Sequence, residues 1–263
     1  YAMRRSAGTD RNLVGIPFFI MRGVRNRCIL TSDDSPITAL ADLRGKRIGL
    51  SGWQDSGNTW TRALLLEAGV PVDSIQWTLS RMTAADRIDP ERGKQFWDDR
   101  VVFHDPDETP LVDLLKEGKI DAIFQAFMPA DFYSEGYGLR QLQPDFVSQE
   151  KAWFGRAGFV PGIHILAMKA DFIAAHPEAP RQLCELLRAS QNLWLAKRRK
   201  YFETTPWLIA DLIDMAKSLP EDWDPVGLEP NRKMLDEFAR QQYLQKLTPV
   251  QRDADFLFPV KTI

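Results

Sequence analysis

Short apolar runs alternate with helical patterns through the middle of the chain, and this alternation limits the fold more than any other feature. The runs RIGL, IQWTLS, VVFH and IDAIF are short and rich in β-branched or aromatic residues, which is typical of buried strands. A helical pattern from Asn58 to Ala68 separates the first two runs and ends at Gly69. Strands that alternate with helices predict an α/β fold with a mostly parallel sheet.

The two ends of the chain have a different character. The run LVGIPFFIM (Leu13–Met21) predicts a strand near the N-terminus, and GIHILAMK (Gly162–Lys169) predicts another, buried on both faces because its apolar residues do not alternate cleanly. Three helical patterns follow, at Pro177–Lys200, Pro206–Leu219 and Asn231–Gln245, without a strong strand between them.

These patterns predict two lobes connected by two chain crossings. The simplest packing joins residues 1–24 and 163–263 in one lobe with a helical C-terminal part, and leaves residues 25–162 as an α/β lobe. Such an architecture predicts a hinge at the crossings and a ligand cleft between the lobes.

Composition and motifs exclude several functions. A formal net charge of −2 and a pI near 6.0 predict no nucleic-acid partner, and the longest apolar run is too short for membrane insertion. Cys28 and Cys184 are expected to be buried free thiols, and the stretch HDPDE (His104–Glu108) is expected to be a loop rather than a metal site. No metal is predicted, since HDPDE has no second spaced ligand group, and the chain has no P-loop, no GxGxxG after a strand and no GxSxG motif.

The turn SGWQDSGNTW, Ser51–Trp60, combines a helix start with groups that can bind an acid. Ser56 is expected to cap the helix and to leave the next three amides facing outward, where they and the helix dipole favour an anion. Arg62 could pair with a carboxylate, and Trp53 and Trp60 could flank a flat ring. An ordinary capped helix with Trp60 in the core explains the same residues equally well.

Four segments carry a resemblance to a known family. They are DLRGKRIGLSGWQDSGNTWTRALLLEAGVPVDSIQW, GKIDAIFQAFMPADF, GFVPGIHILAMKADF and WDPVGLEPNRKMLDEFARQQYLQ. Together they resemble 4,5-dihydroxyphthalate decarboxylases from about Asn12 to the C-terminus. Three positions differ: Gly52, Asn26 and Phe127 stand where the family has a glutamate, a histidine and an arginine.

The resemblance implies a fold and a reaction. The fold is the two-lobed type II periplasmic-binding-protein fold of ABC-importer receptors, whose first strand, helix and second strand would precede Tyr1. The reaction is cofactor-independent loss of a ring carboxylate, a carboxy-lyase step in the breakdown of aromatic compounds. The alternative is an importer receptor for a sulfonate, nitrate or aromatic acid, which binds a small anion without chemistry. The enzyme is expected in the cytoplasm; the receptor is expected in the periplasm with an ABC permease partner.

The resemblance also assigns roles to residues. His164, which its apolar neighbours alone would place in a core, becomes the proton donor. The other candidate residues bind a small-molecule carboxylate: Arg22, Arg25, Asn26, Trp53, Gln54, Ser56, Gly57, Asn58, Thr59, Trp60, Arg62, Gln125 and Phe127. Self-association into a homo-oligomer is left open by the sequence.

Overall fold

A computed structural model describes residues 1–9, 12–89, 93–96, 102–202 and 204–260. The strands in these ranges are β1 Leu13–Arg22, β2 Ile29–Ser32, β3 Arg47–Leu50, β4 Gln76–Leu79, β5 Val102–His104, β6 Ala122–Phe124, β7 Leu139–Gln141 and β8 Gly162–Lys169. The α-helices are α1 Ala2–Ser6, α2 Ser56–Glu67, α3 Leu111–Lys116, α4 Phe146–Ala157, α5 Ala170–Ala175, α6 Ala179–Arg198, α7 Leu208–Ser218, α8 Arg232–Leu244 and α9 Ala254–Leu257. None of the helices in the described ranges is long and apolar enough to span a bilayer.

The chain divides into two compact units. The terminal unit comprises Tyr1–Gly23, Ala157–Ala239 and Arg252–Ile263. The α/β unit comprises Val24–Arg156 and Arg240–Gln251. The segment Arg240–Gln251 is therefore part of the α/β unit, whereas the boundaries drawn from the sequence assign it to the other lobe.

The α/β unit is built on one six-stranded sheet in the order β5-β4-β3-β6-β2-β7. Strands β5, β4, β3 and β6 run parallel to one another, and β2 lies antiparallel to both β6 and β7. The predicted α/β fold with a mostly parallel sheet is confirmed. Because four parallel strands run in one direction, their carboxyl ends all lie at the same edge of the sheet.

Short apolar strands and an amphipathic helix form the core of this unit. Leu111 and Leu115 of α3 pack in one cluster with Ile123 of β6 and Leu30 of β2. Gly49 of β3 allows this packing, since a Cβ there would lie 2.6 Å from Cδ2 of Leu111. Helix α3 therefore approaches the sheet closely at a position that only glycine permits.

The terminal unit contains a two-stranded antiparallel sheet of β1 and β8. Ile16 and Phe18 of β1 pack with Cys184 of α6 in its apolar core. Strand β8 is only partly buried, with exposed residues alternating along much of its length. The prediction that β8 is buried on both faces was wrong, because β8 pairs with one strand rather than lying inside a larger sheet.

Candidate functional site

The carboxyl ends of the parallel strands form the wall of a cavity of about 300 Å³ in the α/β unit. Ser51 follows β3, Leu79 ends β4, His104 ends β5 and Gln125 follows β6, and all four residues line this cavity. In open α/β sheets, ligands bind at this edge. The volume lies at the small end of the range for small-molecule sites and suits a ligand with one ring.

Two buried polar atoms in the cavity wall have no hydrogen-bond partner in the described part of the chain. They are Oε1 of Gln54 and Nε2 of His104. A buried polar atom without a partner costs about 1–3 kcal/mol, so such atoms mark places where a ligand or water completes the hydrogen bonding. By contrast, Oε1 of Gln125 accepts the Ala126 amide at 2.9 Å.

The charged groups around this cavity are mostly acidic. Asp55, Asp86 and Asp89 contribute carboxylates, and Arg87 contributes one guanidinium. Asp86 accepts bonds from Thr83 and is exposed at the rim, as are Arg87 and Asp89. An acidic lining disfavours a ligand carboxylate inside the cavity and tolerates neutral donors such as hydroxyl groups. Within the described ranges, no cluster of three or more His, Cys, Asp or Glu side chains could hold a metal ion.

A second feature of the same unit is a buried arginine beside the start of α2. Arg25 is only 2% exposed, and a Cβ on Gly57 would lie 2.7 Å from its Nη2. Nε of Arg25 has no acceptor among the described residues, and no acidic side chain there forms an ion pair with it. Burial lowers the pKa of this guanidinium below its usual value. The first turn of α2 and an unpaired cation therefore meet at one place.

The helix start differs in detail from the prediction. Asp55, not Ser56, is the N-cap residue; Ser56 is the first residue of α2, and the Asp55 side chain makes no capping bond. The Thr59 amide is not available to a ligand, since it donates to the Asp55 carbonyl at 2.9 Å. Asn58 is buried, and its Nδ2 donates to the Gly52 carbonyl at 2.7 Å. The first turn of α2 thus leaves fewer groups for a ligand than the sequence suggested.

Arg62, Trp53 and Trp60 lie in the core, each at most 3% exposed, and Nη1 of Arg62 is a further buried atom without a partner among the described residues. Arg62 is fully buried, with Nε bonded to Oε1 of Gln245 at 2.7 Å and Nη2 bonded to the Trp53 carbonyl at 2.8 Å. Its guanidinium lies 4.1 Å from the Trp53 ring, which packs edge-on against Trp77. Burial lowers the pKa of Arg62 to about 9. Trp60 lies in the core, as the alternative of an ordinary capped helix expected, and the binding roles of Arg62, Trp53 and Trp60 stay predictions.

Arg22 is also engaged by neighbours, in the terminal unit. Nε forms an ion pair with Asp224, and Nη2 bonds to Oδ1 of Asn231 at 2.7 Å and to the Pro225 carbonyl at 2.9 Å. Nη1 donates to the Val160 carbonyl at 3.2 Å. These partners accept hydrogen bonds from the guanidinium of Arg22, so its charge is already paired within the terminal unit.

Asn26 and His164 lie in different units. In the α/β unit, Nδ2 of Asn26 donates to Oε1 of Gln143 at 2.8 Å, and its buried Oδ1 has no partner among the described residues. His164 lies on β8 of the terminal unit, in register with Met21, and its side chain is exposed. His164 is therefore not a core histidine. Its role as proton donor stays a prediction.

Of the predicted residues, the cavity in the α/β unit brings together Gln54, Gln125 and Phe127, and Phe127 is 64% exposed. Sequence reasoning missed His104 and Asp55 as site residues. The signal for His104 was present, because a polar residue at the end of a predicted parallel strand lies at the ligand-binding edge.

Comparisons with known proteins agree with this fold. A family model described as NMT1/THI5 like matches residues 21–90. The 4,5-dihydroxyphthalate decarboxylase of Comamonas testosteroni is 24% identical over 252 residues, covering 94% of this chain and 76% of the relative. The protein of the same name from Pseudomonas putida is 29% identical over 133 residues, covering 50% of this chain and 51% of the relative.

A solved structure extends the comparison to the fold. The alkanesulfonate-binding protein SsuA from Xanthomonas axonopodis pv. citri, bound to MOPS, matches with a TM-score of 0.54 at 16% identity, over 97% of this chain and 76% of SsuA. The chain has a fold of the periplasmic-binding-protein type, as predicted from the sequence. The predicted resemblance to 4,5-dihydroxyphthalate decarboxylases is confirmed as well.

Proposed function

We propose that this protein is a cofactor-independent decarboxylase that acts on a hydroxylated aromatic acid of the phthalate kind. The observation that carries the proposal is Arg25: this residue is 2% exposed, its Nε has no hydrogen-bond partner among the described residues, and its guanidinium lies against Gly57 in the first turn of α2. The similarity to 4,5-dihydroxyphthalate decarboxylases over most of the chain supports the reaction class.

The electrostatics around Arg25 favour a ligand carboxylate. An unpaired buried cation is costly, and a carboxylate that binds it with charge-assisted hydrogen bonds removes that cost. Two neighbours act on its charge: Glu150, which accepts the Arg27 amide at 3.1 Å, offsets part of the effect of burial on the Arg25 pKa, and burial raises the pKa of the Cys28 thiol. The amides at the start of α2 add a partial positive charge on the same side.

The reaction needs a proton and a held carboxylate. An acid protonates the ring carbon that bears the leaving carboxylate, the carbon–carbon bond breaks, and its electron pair returns to the ring as carbon dioxide leaves. The net change is one proton taken up and one carbon dioxide released. In this proposal Arg25 holds the retained carboxylate, and the role of the acid stays with His164 as a prediction from the sequence resemblance alone.

The test is turnover of 4,5-dihydroxyphthalate, followed by chromatography of the monocarboxylic catechol. Arg25→Met is expected to lower kcat/KM about 100-fold or more, since it removes a charge-assisted contact worth several kcal/mol. Arg27→Met is the matched control, because Arg27 is the exposed neighbour and its contact with Glu150 uses the backbone amide. Equal activity of Arg25→Met and Arg27→Met would contradict the proposal.

His164→Ala separates binding from proton transfer. If His164 is the acid, this variant loses turnover but keeps its affinity for the substrate. Unchanged turnover would remove His164 from the mechanism without affecting the role of Arg25.

The second candidate function is a solute receptor of an ABC importer. One observation favours it: a buried cation beside a helix N-terminus can hold an anion, and binding of this kind needs no proton donor. A receptor would show a rise in melting temperature with the ligand and no product. An ABC permease partner and a periplasmic location belong to this function; a cytoplasmic location belongs to the enzyme.

A further inference from the structure

We infer that the cavity at the carboxyl edge of the sheet binds the hydroxyl groups of the ligand. Gln54 and His104 are the residues that accept hydrogen bonds from these hydroxyl groups. This inference rests on the proposed function and names the part of the site that selects a hydroxylated ring over a plain aromatic acid. Among the described residues, those that line this cavity include more acidic than basic side chains, so we do not place the ligand carboxylate there.

The first argument is hydrogen-bonding capacity. Oε1 of Gln54 and Nε2 of His104 are buried, belong to two residues that line the same cavity and have no partner among the described residues. An amide oxygen accepts hydrogen bonds, and so does the unprotonated nitrogen of a neutral imidazole. Two neighbouring hydroxyls on a ring present two donors, which matches two unpaired acceptors.

The second argument is the position of these acceptors. Gln54 lies in the turn between β3 and α2, and a Cβ on Gly93 would overlap its amide group. His104 is the last residue of β5, so its backbone is fixed in the sheet by pairing with Leu79. Both acceptors are therefore held by neighbouring structure before a ligand arrives, which lowers the entropic cost of binding.

The third argument is charge. The cavity lining is acidic, so it repels a carboxylate and admits the neutral, hydroxylated side of the ring. The inference assigns the carboxylated side of the ring to Arg25 and the start of α2, which belong to the same unit as the cavity.

This division has a chemical consequence for decarboxylation. In 4,5-dihydroxyphthalate, each hydroxyl is para to one carboxylate. When His104 takes the proton of that hydroxyl, the oxygen donates electrons through the ring and makes the carbon para to it more basic. A proton then adds to that carbon, carbon dioxide leaves with the carbon–carbon electron pair returning to the ring, and His104 returns its proton to the oxygen. The step needs no oxidant or reductant.

The experiment compares two unreactive probes, benzoate and 3,4-dihydroxybenzoate, by calorimetry with the full chain. The wild-type protein is expected to bind the dihydroxy probe about 10–100-fold more tightly, since each new hydrogen bond to a buried acceptor contributes roughly a factor of ten. In Gln54→Met and in His104→Leu the ratio of the affinities for the dihydroxy probe and for benzoate should be closer to one, because each variant lacks one hydrogen bond to a hydroxyl group. The affinity for benzoate should stay the same. Gln76→Met, an exposed glutamine on β4, is the matched control.

Three outcomes are separable. If Gln54→Met and His104→Leu leave the ratio unchanged, or lower the affinity for both probes equally, the inference is overturned. Arg25→Met should weaken the binding of both probes and keep the ratio of their affinities. If it weakens the binding of neither probe, the proposed carboxylate site is wrong, and the ratio of the two affinities still tests the hydroxyl contacts.

A spectroscopic measurement distinguishes His104 from a residue that only shapes the cavity. The ultraviolet absorbance of bound 3,4-dihydroxybenzoate should show the phenolate at a lower pH than the free probe, and His104→Leu should abolish this shift. His104→Gln serves as a second variant of closer size should His104→Leu fail to fold. A phenolate transition unchanged in both variants would overturn the role of His104.

Discussion

Nε of Arg62 donates a 2.7 Å hydrogen bond to Oε1 of Gln245, although 183 residues separate them along the chain. Nε2 of Gln245 in turn donates to the Thr59 carbonyl at 2.9 Å. These two bonds connect Gln245, the residue that follows α8, to α2. They explain why Arg240–Gln251 belongs to the α/β unit and why Arg62 is a structural residue.

Arg62→Met should therefore destabilise the protein rather than change its ligand affinity. The substitution leaves Oε1 of Gln245 and the Trp53 carbonyl without their donor, and the expected loss is about 1–3 kcal/mol of unfolding free energy. Urea denaturation measures it. Arg181→Met is the control, because Arg181 is in an exposed pair with Glu185 and should change stability by less than about 1 kcal/mol. If Arg62→Met has normal stability but no longer binds carboxylates, Arg62 belongs to the carboxylate-binding site.

The fold could be predicted from sequence because local patterns determine it. RIGL and IDAIF are apolar runs of strand length, and helical patterns of the right length connect them, so a mostly parallel sheet was the simplest solution. The carboxyl edge of that sheet, and with it His104, follows from the same pattern.

The role of the charged residues could not be predicted in the same way. The sequence around Arg62 in α2 has an ordinary amphipathic pattern. The acceptor of Arg62, Gln245, lies 183 residues further along the chain. Arg22 likewise depends on Asp224, which is about two hundred residues away. Sequence identifies an arginine near a helix start, but only the tertiary contacts decide whether its charge is already paired.

Arg22→Met should lower stability strongly and leave ligand affinity unchanged. The substitution removes the cation from a partly buried pair and leaves Asp224 with Nε2 of Gln191 as a donor at 2.8 Å, so the expected cost is about 3 kcal/mol. The thermal melting temperature reports the cost, and calorimetry with benzoate on the folded protein reports affinity. A variant that melts normally but no longer binds benzoate would restore Arg22 to the binding set.

Asp121→Asn should reduce stability at neutral pH and have little effect in acid. Asp121 accepts the Arg47 amide at 2.8 Å and its guanidinium at 2.7 and 3.0 Å, and these bonds hold the pKa of the carboxyl below its usual value. A lowered carboxyl pKa stabilises the folded state above the unfolded pKa near 3.8, and this contribution disappears as pH falls through the folded pKa.

Denaturation at pH 7 and at successive values below pH 4 measures this difference. We expect a loss of about 1 kcal/mol at pH 7, because Arg47 is partly exposed, and convergence of wild type and variant in acid. Asp73→Asn, at an exposed position, is the control and should show no such convergence. A gap of constant size at every pH would mean that the Asp121 carboxylate is not the cause.

Gly57→Ala should weaken carboxylate binding without destabilising the helix. Alanine is a better helix former than glycine by about 1 kcal/mol, so a purely structural site should tolerate or favour the change. A Cβ at position 57 would lie 2.7 Å from Nη2 and 3.1 Å from Cζ of Arg25, which must therefore shift. The expected result is an approximately 10-fold loss of affinity for benzoate, equivalent to about 1.4 kcal/mol, with an unchanged or raised melting temperature.

Gly155→Ala provides the matched control, since Gly155 is an exposed position in α4 where an added Cβ meets nothing within 4 Å. It should raise stability by about 0.5–1 kcal/mol and leave affinity alone, because its only effect is on helix propensity. If both variants bind benzoate like the wild type, Arg25 does not hold the carboxylate beside Gly57. If Gly57→Ala alone loses affinity, the start of α2 and Arg25 act together on the anion.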